Sequence, residues 1–356
     1  MQIFLYVLLA ASVSTISLVL LRGLAVNIKL VDVPCERKSH NGHVPLVGGV
    51  ATLFGVIAVA IAQSGSSFYQ MEYIVFSCIL VLVGLIDDKL DISATFRLII
   101  LMLLSTWLVE KEGLSLSYLG DLFGTGNIYL SQGALAFTTI AVIGCVTAFN
   151  MVDGIDGLLG MLAACTIASL GLLFYLSGQH TLALFCLTFI AAMCPYVAFN
   201  LGLKVKSKYK VFMGDSGSFL VGFTIIWLLV FATQNINGYS SHLAMRPVTA
   251  LWIIAIPLMD MALVMIKRVL KKQSPLKADR THIHHVLMLA GNSPRKTLFI
   301  VTVLACALAS IGLIAEVNQV EESKMFAAFL QVFVVYGIAN IVLEKRAKQK
   351  SANYMG

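Results

Sequence analysis

The fold is decided by the stretch Ile74-Val-Phe-Ser-Cys-Ile-Leu-Val-Leu-Val-Gly-Leu-Ile86-Asp87-Asp88, in which an apolar run ends in two adjacent carboxylates. The 356 residues are 59% hydrophobic and only 12% charged. A water-soluble domain of this composition would have to expose a very large apolar surface. The sequence therefore predicts an all-α, polytopic integral membrane protein.

Apolar runs recur along the whole chain. A helix that crosses a bilayer needs about 17 to 25 such residues, and the runs predict about eleven transmembrane helices packed as one domain over residues 1–356. The first run has no basic segment before it and no small-residue cleavage site after it, so we expect it to stay as a helix rather than be removed as a signal peptide. The runs lie near 1–21, 45–63, 72–87, 95–109, 133–149, 157–177, 180–199, 213–233, 248–266, 298–315 and 325–343.

Basic residues are distributed unevenly over the loops between these runs. Of the 25 lysines and arginines, all but Lys111, Arg246 and Lys324 fall in the odd-numbered loops or the C-terminal tail. The positive-inside rule places such loops in the cytoplasm. We therefore expect the N-terminus outside, the C-terminus inside, and a long cytoplasmic loop over 267–296 that carries a histidine cluster.

Four polar clusters stand at the ends of apolar runs, and this topology puts all four on the cytoplasmic side. The topology rests on Lys and Arg, whereas the clusters consist mostly of Asp, Asn and His, so the shared side is an independent result. The clusters are Asp87-Asp88-x-x-Asp91, Asn150-Met-Val-Asp153-Gly-Ile-Asp156-Gly, Met213-Gly-Asp215-Ser-Gly-Ser and His282-Ile-His284-His285.

The first cluster places three carboxylates within about one helical turn, where they repel one another unless a cation lies among them. Ionisable groups near membrane depth are costly and usually functional. Metal or phosphate chemistry is therefore favoured over a solvated helix end. In the second cluster, a plain turn between two helices explains the glycines but not the two acids Asp153 and Asp156, so function is favoured there too.

The third cluster opens an apolar run with small residues and serines, whose backbone N–H groups can bind an anion at a helix start. Asp215 can ligate a Mg²⁺ ion that also binds phosphate oxygens. A simple helix N-cap is the alternative for this aspartate. Within the ninth run, Asp260 is expected to have a structural role, paired with a neighbouring helix or with Lys267 and Arg268.

The histidine cluster, beside Arg280, fits contact with phosphate or sugar through a partly cationic group. A zinc site is the competing interpretation, but the segment lacks an H-E-x-x-H pattern and a nearby cysteine. Inert imidazoles in a solvated loop are a second alternative.

In their order and types, the four motifs resemble those of the polyprenyl-phosphate N-acetylhexosamine-1-phosphate transferases, most closely the bacterial WecA type, over nearly the whole chain. The resemblance implies that Asp87, Asp88 and Asp153 are needed for activity. It implies Mg²⁺, or Mn²⁺ in its place, held by Asp215 and Asn150. Substrate contacts are implied for Asp156 at the nucleotide base and for Lys38, Arg280, His282, His284 and His285.

The implied reaction transfers GlcNAc-1-phosphate from UDP-GlcNAc to undecaprenyl phosphate and releases UMP, as the first membrane step of O-antigen or common-antigen synthesis. The resemblance also implies a bacterial inner membrane, with the active site facing the cytoplasm. The net charge of +7 favours anionic lipids and substrates. Nucleic acid is not expected as a partner, since no basic stripe is interleaved with aromatics.

Other interpretations stay open at this point. An intramembrane prenyltransferase would share the Asp-rich motifs but not the third cluster or the histidines. A secondary transporter would place its charges at mid-membrane within an internal repeat. Another UDP-N-acetylhexosamine donor, a covalent intermediate on an aspartate and a homo-oligomer also remain open.

Overall fold

The computed structural model describes residues 1–33, 42–63, 71–202, 209–235, 243–275 and 281–355. Helices dominate these ranges, as the apolar runs predict, because a backbone in lipid must satisfy its own hydrogen bonds. The helices are α1 Gln2–Asn27, α2 Gly48–Ala62, α3 Met71–Leu90, α4 Ala94–Glu112, α5 Ala134–Val152, α6 Leu158–Leu176, α7 His180–Asn200, α8 Gly214–Thr233, α9 Pro247–Ile253, α10 Ala255–Leu270, α11 Ile283–Leu289, α12 Pro294–Val317 and α13 Glu322–Met355.

Every predicted apolar run falls on a helix, and the ninth falls on the bent pair α9 and α10, whose axes differ by 81°. Within the described residues, seven helices are long and apolar enough to cross a membrane, or eight if the bent pair is one span. The class of polytopic, helical membrane protein is therefore confirmed. The count of eleven spans and their orientation stay predictions, since α2 has only 15 residues and both α3 and α4 carry several charges.

Two short strand pairs depart from the predicted all-α chain, and a helix replaces part of the predicted long loop. Strand β1, Val31–Asp32, pairs antiparallel with β2, Val44–Pro45, and β3, Tyr118–Gly120, pairs antiparallel with β4, Ile128–Tyr129. In the segment predicted as a long loop, α11 forms a short helix, and the two ends of the segment belong to α10 and α12.

Helix α8 lies at the centre of the bundle. An 18-residue window of α8 is entirely buried, and the helix packs against α2, α3, α5 and α6. A helix that is apolar on every side is expected to be surrounded by protein. Its first turn therefore lies in the middle of one end of the molecule, within reach of several other helices.

Glycines bring the neighbours of α8 into backbone contact with its first turn. Gly84 of α3 lies against the backbone of Ser216, and Gly49 of α2 lies against that of Gly217, with no room for a Cβ at either glycine. The segment before α8 is fixed as well: the amide of Phe212 donates to Pro45 O at 2.9 Å. These contacts tie the segment before α2, α2 itself and α3 to the start of α8.

The far end of α8 meets a different polar cluster. Gln234 receives the amides of Ser117 and Tyr118 on its Oε1, at 3.1 and 3.0 Å. Nearby, Arg246 pairs with Glu316 of α12 at 3.1 Å. With a rise of about 1.5 Å per residue, the 20 residues of α8 separate this cluster from the first turn by about 30 Å.

Candidate active site

Asp88 holds the first turn of α8. Its Oδ1 accepts the amide of Asp215 at 2.8 Å and its Oδ2 accepts the amide of Ser216 at 3.3 Å. A carboxylate at a helix N-terminus satisfies otherwise unpaired N–H groups and interacts favourably with the helix dipole. The alternative in which Asp215 is the N-cap is wrong, because Met213 occupies that position and Asp215 lies in the first turn.

The two predicted metal ligands are in direct contact. Asn150, in the last turn of α5, donates through Nδ2 to Asp215 Oδ1 at 2.5 Å and to Ser218 Oγ at 2.8 Å. The side chain of Asp215 is 32% exposed. The pair is therefore held together by two helices and stays open to a ligand from outside.

Arg97 supplies a cation that our sequence reasoning used only for the topology. Its guanidinium lies 3.0 Å from Asp87 Oδ2 and 4.0 Å from Asp215 Oδ2. Ser93 caps α4 by accepting the amide of Phe96, which places Arg97 in the first turn. A cation there opposes the helix dipole. The neighbouring acids offset this unfavourable interaction. An arginine that closely follows an acidic triplet in the sequence could have indicated this ion pair.

The donor set fits Mg²⁺ only if the substrate completes it. Within the described residues, no three His, Cys, Asp or Glu side chains form a group that could hold a metal. Mg²⁺ is commonly held by one or two carboxylates together with substrate phosphates and water. Asp215 provides such a carboxylate, and rotation of the Asn150 amide would turn its Oδ1 toward the same ion.

The loop between α5 and α6 carries the other predicted acids on its exposed side. Asp153 lies at the end of α5 and is exposed. Asp156 forms an ion pair of 2.6 Å with Lys210. Buried Asn200 holds the loop from below, since its Oδ1 accepts the amide of Gly157 at 2.6 Å. Neither Asn200 nor Lys210 was singled out from the sequence, because both depend on contacts between distant segments.

The histidine cluster is mostly buried, unlike the solvated loop that the sequence suggested. His282 Nδ1 lies 2.7 Å from Asp260 Oδ2, and the amide of Ile283 donates to Asp260 Oδ1 at 2.8 Å. The hydroxyl of Tyr336 donates to the same Oδ1 at 2.9 Å. Asp260 therefore pairs with the histidine segment and with α13, rather than with the basic end of its own helix.

His284 lies against Gly154, where the contact leaves no room for a Cβ. The imidazole is 1% exposed, and neither ring nitrogen has a hydrogen-bond partner among the described residues. Burial, and next the neighbouring His285, lower the pKa of His284 to about 3. The expectation of a partly cationic cluster therefore fails at this ring, which is neutral at physiological pH.

The structure thus brings all four motifs into one chain of contacts. Asp88 reaches the start of α8, Asn150 joins α5 to it, and His284 meets the loop after α5. Lys38 and Arg280 lie outside the described residues.

Residues 71–233 match the model of glycosyl transferase family 4. A relative from Yersinia pestis, named undecaprenyl-phosphate alpha-N-acetylglucosaminyl 1-phosphate transferase, is 44% identical over 317 residues, which cover 89% of this chain and 85% of the relative. Relatives of the same name from Escherichia coli K12 and Haemophilus influenzae are 42% and 39% identical, over 91% and 90% of this chain and 87% and 89% of theirs.

The chain belongs to glycosyl transferase family 4. The matched range, residues 71–233 of this chain, contains Asp88, Asn150 and Asp215. The histidine cluster lies outside this range. The predicted family is therefore confirmed. The match includes the third cluster, which neither a prenyltransferase nor a transporter explains.

Proposed function

We propose that the protein transfers GlcNAc-1-phosphate from UDP-GlcNAc to undecaprenyl phosphate, giving undecaprenyl-diphosphate-GlcNAc and UMP. The observation that carries the proposal is the convergence of Asp88, Asn150 and Asp215 at the first turn of the buried helix α8. The shared name of relatives that this chain matches over most of their length supports the same donor and acceptor.

In this reaction an oxygen of the lipid phosphate bonds to the β-phosphorus of UDP-GlcNAc, while the bond from that phosphorus to the oxygen of UMP breaks. Little of the work is covalent chemistry by the protein, so positioning and charge stabilisation dominate. A bound Mg²⁺ would neutralise the pyrophosphate. Asp215 and Asn150 would hold it, since they touch each other and Asp215 is open to solvent.

The acids of α3 act by placement in this proposal. Both oxygens of Asp88 accept backbone amides of α8, and Asp87 pairs with Arg97. A phosphate monoester is mostly dianionic at pH 7, so it needs little help from a general base. Because both oxygens of Asp88 already accept hydrogen bonds from backbone amides, this arrangement supports direct displacement rather than a covalent intermediate on that residue.

The donor side is assigned to the loop after α5 and to the histidines. Asp156 and Lys210 form a charged pair at the exposed edge, suited to a nucleotide. Among the described residues neither ring nitrogen of His284 has a partner, and the single N–H of this neutral ring, beside Gly154, is suited to a phosphate or sugar oxygen. Lys38, Arg280, His282 and His285 remain proposed contacts on the basis of the family resemblance.

The proposed setting is the bacterial inner membrane with the site facing the cytoplasm, and the product would enter O-antigen or common-antigen synthesis. The distribution of Lys and Arg supports this orientation. Cysteines placed in 267–275 or in 234–246, in a chain whose native cysteines are replaced, test it. A thiol reagent that cannot cross the membrane should label the second segment from outside and the first only after permeabilisation; the reverse pattern refutes the orientation.

The reaction is tested with purified protein, UDP-GlcNAc, undecaprenyl phosphate and Mg²⁺, with both products identified by mass spectrometry. UMP and undecaprenyl-diphosphate-GlcNAc are expected in equal amounts. One phosphoanhydride replaces another, so labelled UMP should exchange into UDP-GlcNAc, and excess chelator should stop both directions. Release of UDP, or exchange that persists in chelator, contradicts the proposal. UDP-GalNAc in a parallel reaction tests the sugar.

A further inference from the structure

One buried carboxylate has no part in the reaction as proposed. Asp260 of α10 is completely buried and receives three donors: the His282 ring, the amide of Ile283 and the hydroxyl of Tyr336. Burying a carboxylate is costly unless its oxygens are hydrogen-bonded. Two of these three donors come from the start of α11, so the carboxylate and the histidine segment fix each other.

The geometry also fixes which atoms the histidines present. The Nδ1 of His282 faces Asp260 at 2.7 Å, which leaves Nε2 as the nitrogen available to another partner. The hydrogen bond from the amide of Ile283 to Asp260 fixes the first residue of α11. His284 is the next residue, and its ring lies against Gly154. A shift at Asp260 would therefore move both rings relative to the loop after α5.

We infer that Asp260 is a positioning residue of the transfer reaction: it sets the tautomer and orientation of His282 and, through the start of α11, the placement of His284. The inference rests on the proposed function and adds to it a residue in the middle of a helix. Tyr336 supports the same carboxylate from α13, so the histidine segment is held by two helices at once.

Asp260→Asn tests this with almost no change in shape. The amide oxygen still accepts from Ile283 and Tyr336, but the amide nitrogen now faces His282 Nδ1, so the ring must carry its proton on Nε2. Loss of a partner that orients a metal-bound histidine typically costs about 10- to 100-fold. We expect kcat/KM for UDP-GlcNAc to fall by about that factor, with the KM for undecaprenyl phosphate within about twofold of wild type.

A double mutant separates positioning from simple support of the fold. If Asp260 acts through His282, Asp260→Asn should lower kcat/KM by less than about twofold when introduced into His282→Ala, because the histidine whose orientation it sets is gone. Losses that multiply in the double mutant would overturn the inference. Tyr336→Phe should give a smaller loss of kcat/KM for UDP-GlcNAc, again with little change in the KM for undecaprenyl phosphate. This variant retains the carboxylate of Asp260, so it tests the inference even if Asp260→Asn folds poorly.

Glu316→Gln is the matched control, because it also converts a buried carboxylate that accepts from a backbone amide and a hydroxyl, but at the other end of the molecule. It should leave both KM values and kcat unchanged. Equal kinetic losses in Glu316→Gln and Asp260→Asn would overturn the inference. Wild-type kinetics in Asp260→Asn would also overturn it, whereas a wild-type protein that releases no UMP would refute the proposed function itself.

Discussion

The two ends of α8 differ in how their charges are balanced. At the first turn, Arg97 lies beside Asp87 and Asp215, and Asp88 accepts the amide of Asp215. At the far end, Arg246 donates to Glu316 and to the carbonyl of Val320, at 3.1 and 2.6 Å. The first cluster has more negative than positive charge among these side chains, whereas Arg246 and Glu316 form a one-to-one ion pair.

This difference teaches where ligand binding is expected. A one-to-one ion pair such as Arg246 and Glu316, whose charged groups are hydrogen-bonded within the protein, holds helices together. An acidic excess that is partly exposed is stabilised further by a cation from outside. The predictions that follow probe this contrast, beginning with the largest effect.

Asp215→Asn should abolish transfer. Loss of the metal-binding carboxylate removes several kcal/mol of charge stabilisation in the transition state, and each 1.36 kcal/mol corresponds to about a factor of ten in rate. We expect a fall in kcat of about a thousandfold or more, measured as UMP release. The fold should survive in detergent, because the amide of residue 215 still donates to Asp88. Normal turnover would remove Asp215 from the site.

Arg97→Ala should lower turnover by about 10- to 100-fold, because the cation balances Asp87 and lies near Asp215. Arg97→Lys keeps the charge but loses the planar fork, so it should recover part of the activity. Initial rates at saturating substrates measure both variants. Equal losses in the two variants would mean that packing, rather than charge, explains the arginine.

Much of the fold follows from local pattern. Helix positions are readable because a bilayer leaves the backbone few other choices, and the family resemblance named Asn150 and Asp215 together. The break between α9 and α10 was missed, because the apolar run continues through Ile254 without a polar interruption. The β3–β4 hairpin was missed because its strands are only three and two residues long.

The details of the site were harder to predict, since they depend on contacts between distant residues. Asp88 caps a helix that begins more than a hundred residues later, and no local spacing indicates such a cap. Gly84 reads as an ordinary helix residue, yet it allows the backbone contact with Ser216 that brings α3 to α8. Arg97 could have been proposed from its proximity to the acidic triplet, had charge balance been considered.

Glu316→Gln, at the far end of α8, should lower stability without changing catalysis. It therefore tests whether the two ends of α8 differ in function. The carboxylate accepts from the amide and guanidinium of Arg246 and from the hydroxyl of Thr249. Loss of one charged partner in such a cluster costs about 1–3 kcal/mol. The melting temperature in detergent should fall, while kcat below that temperature stays at the wild-type value. A loss of kcat at constant stability would show that this end also takes part in the reaction.

The smallest expected effect concerns His284 at the active end, whose ring nitrogens have no hydrogen-bond partner among the described residues. Its pKa is lowered to about 3, chiefly by burial, against about 6.5 in the unfolded chain. Below pH 6.5 the unfolded state therefore binds a proton that the folded state refuses, and stability is lost as the pH falls toward 3. At pH 5 the loss is at most about 2 kcal/mol. Gln cannot take up that proton, so the melting temperature of His284→Gln should fall less than that of wild type between pH 7 and pH 5. Parallel falls in the two proteins would mean that His284 is protonated in the folded state and belongs to a cationic cluster after all.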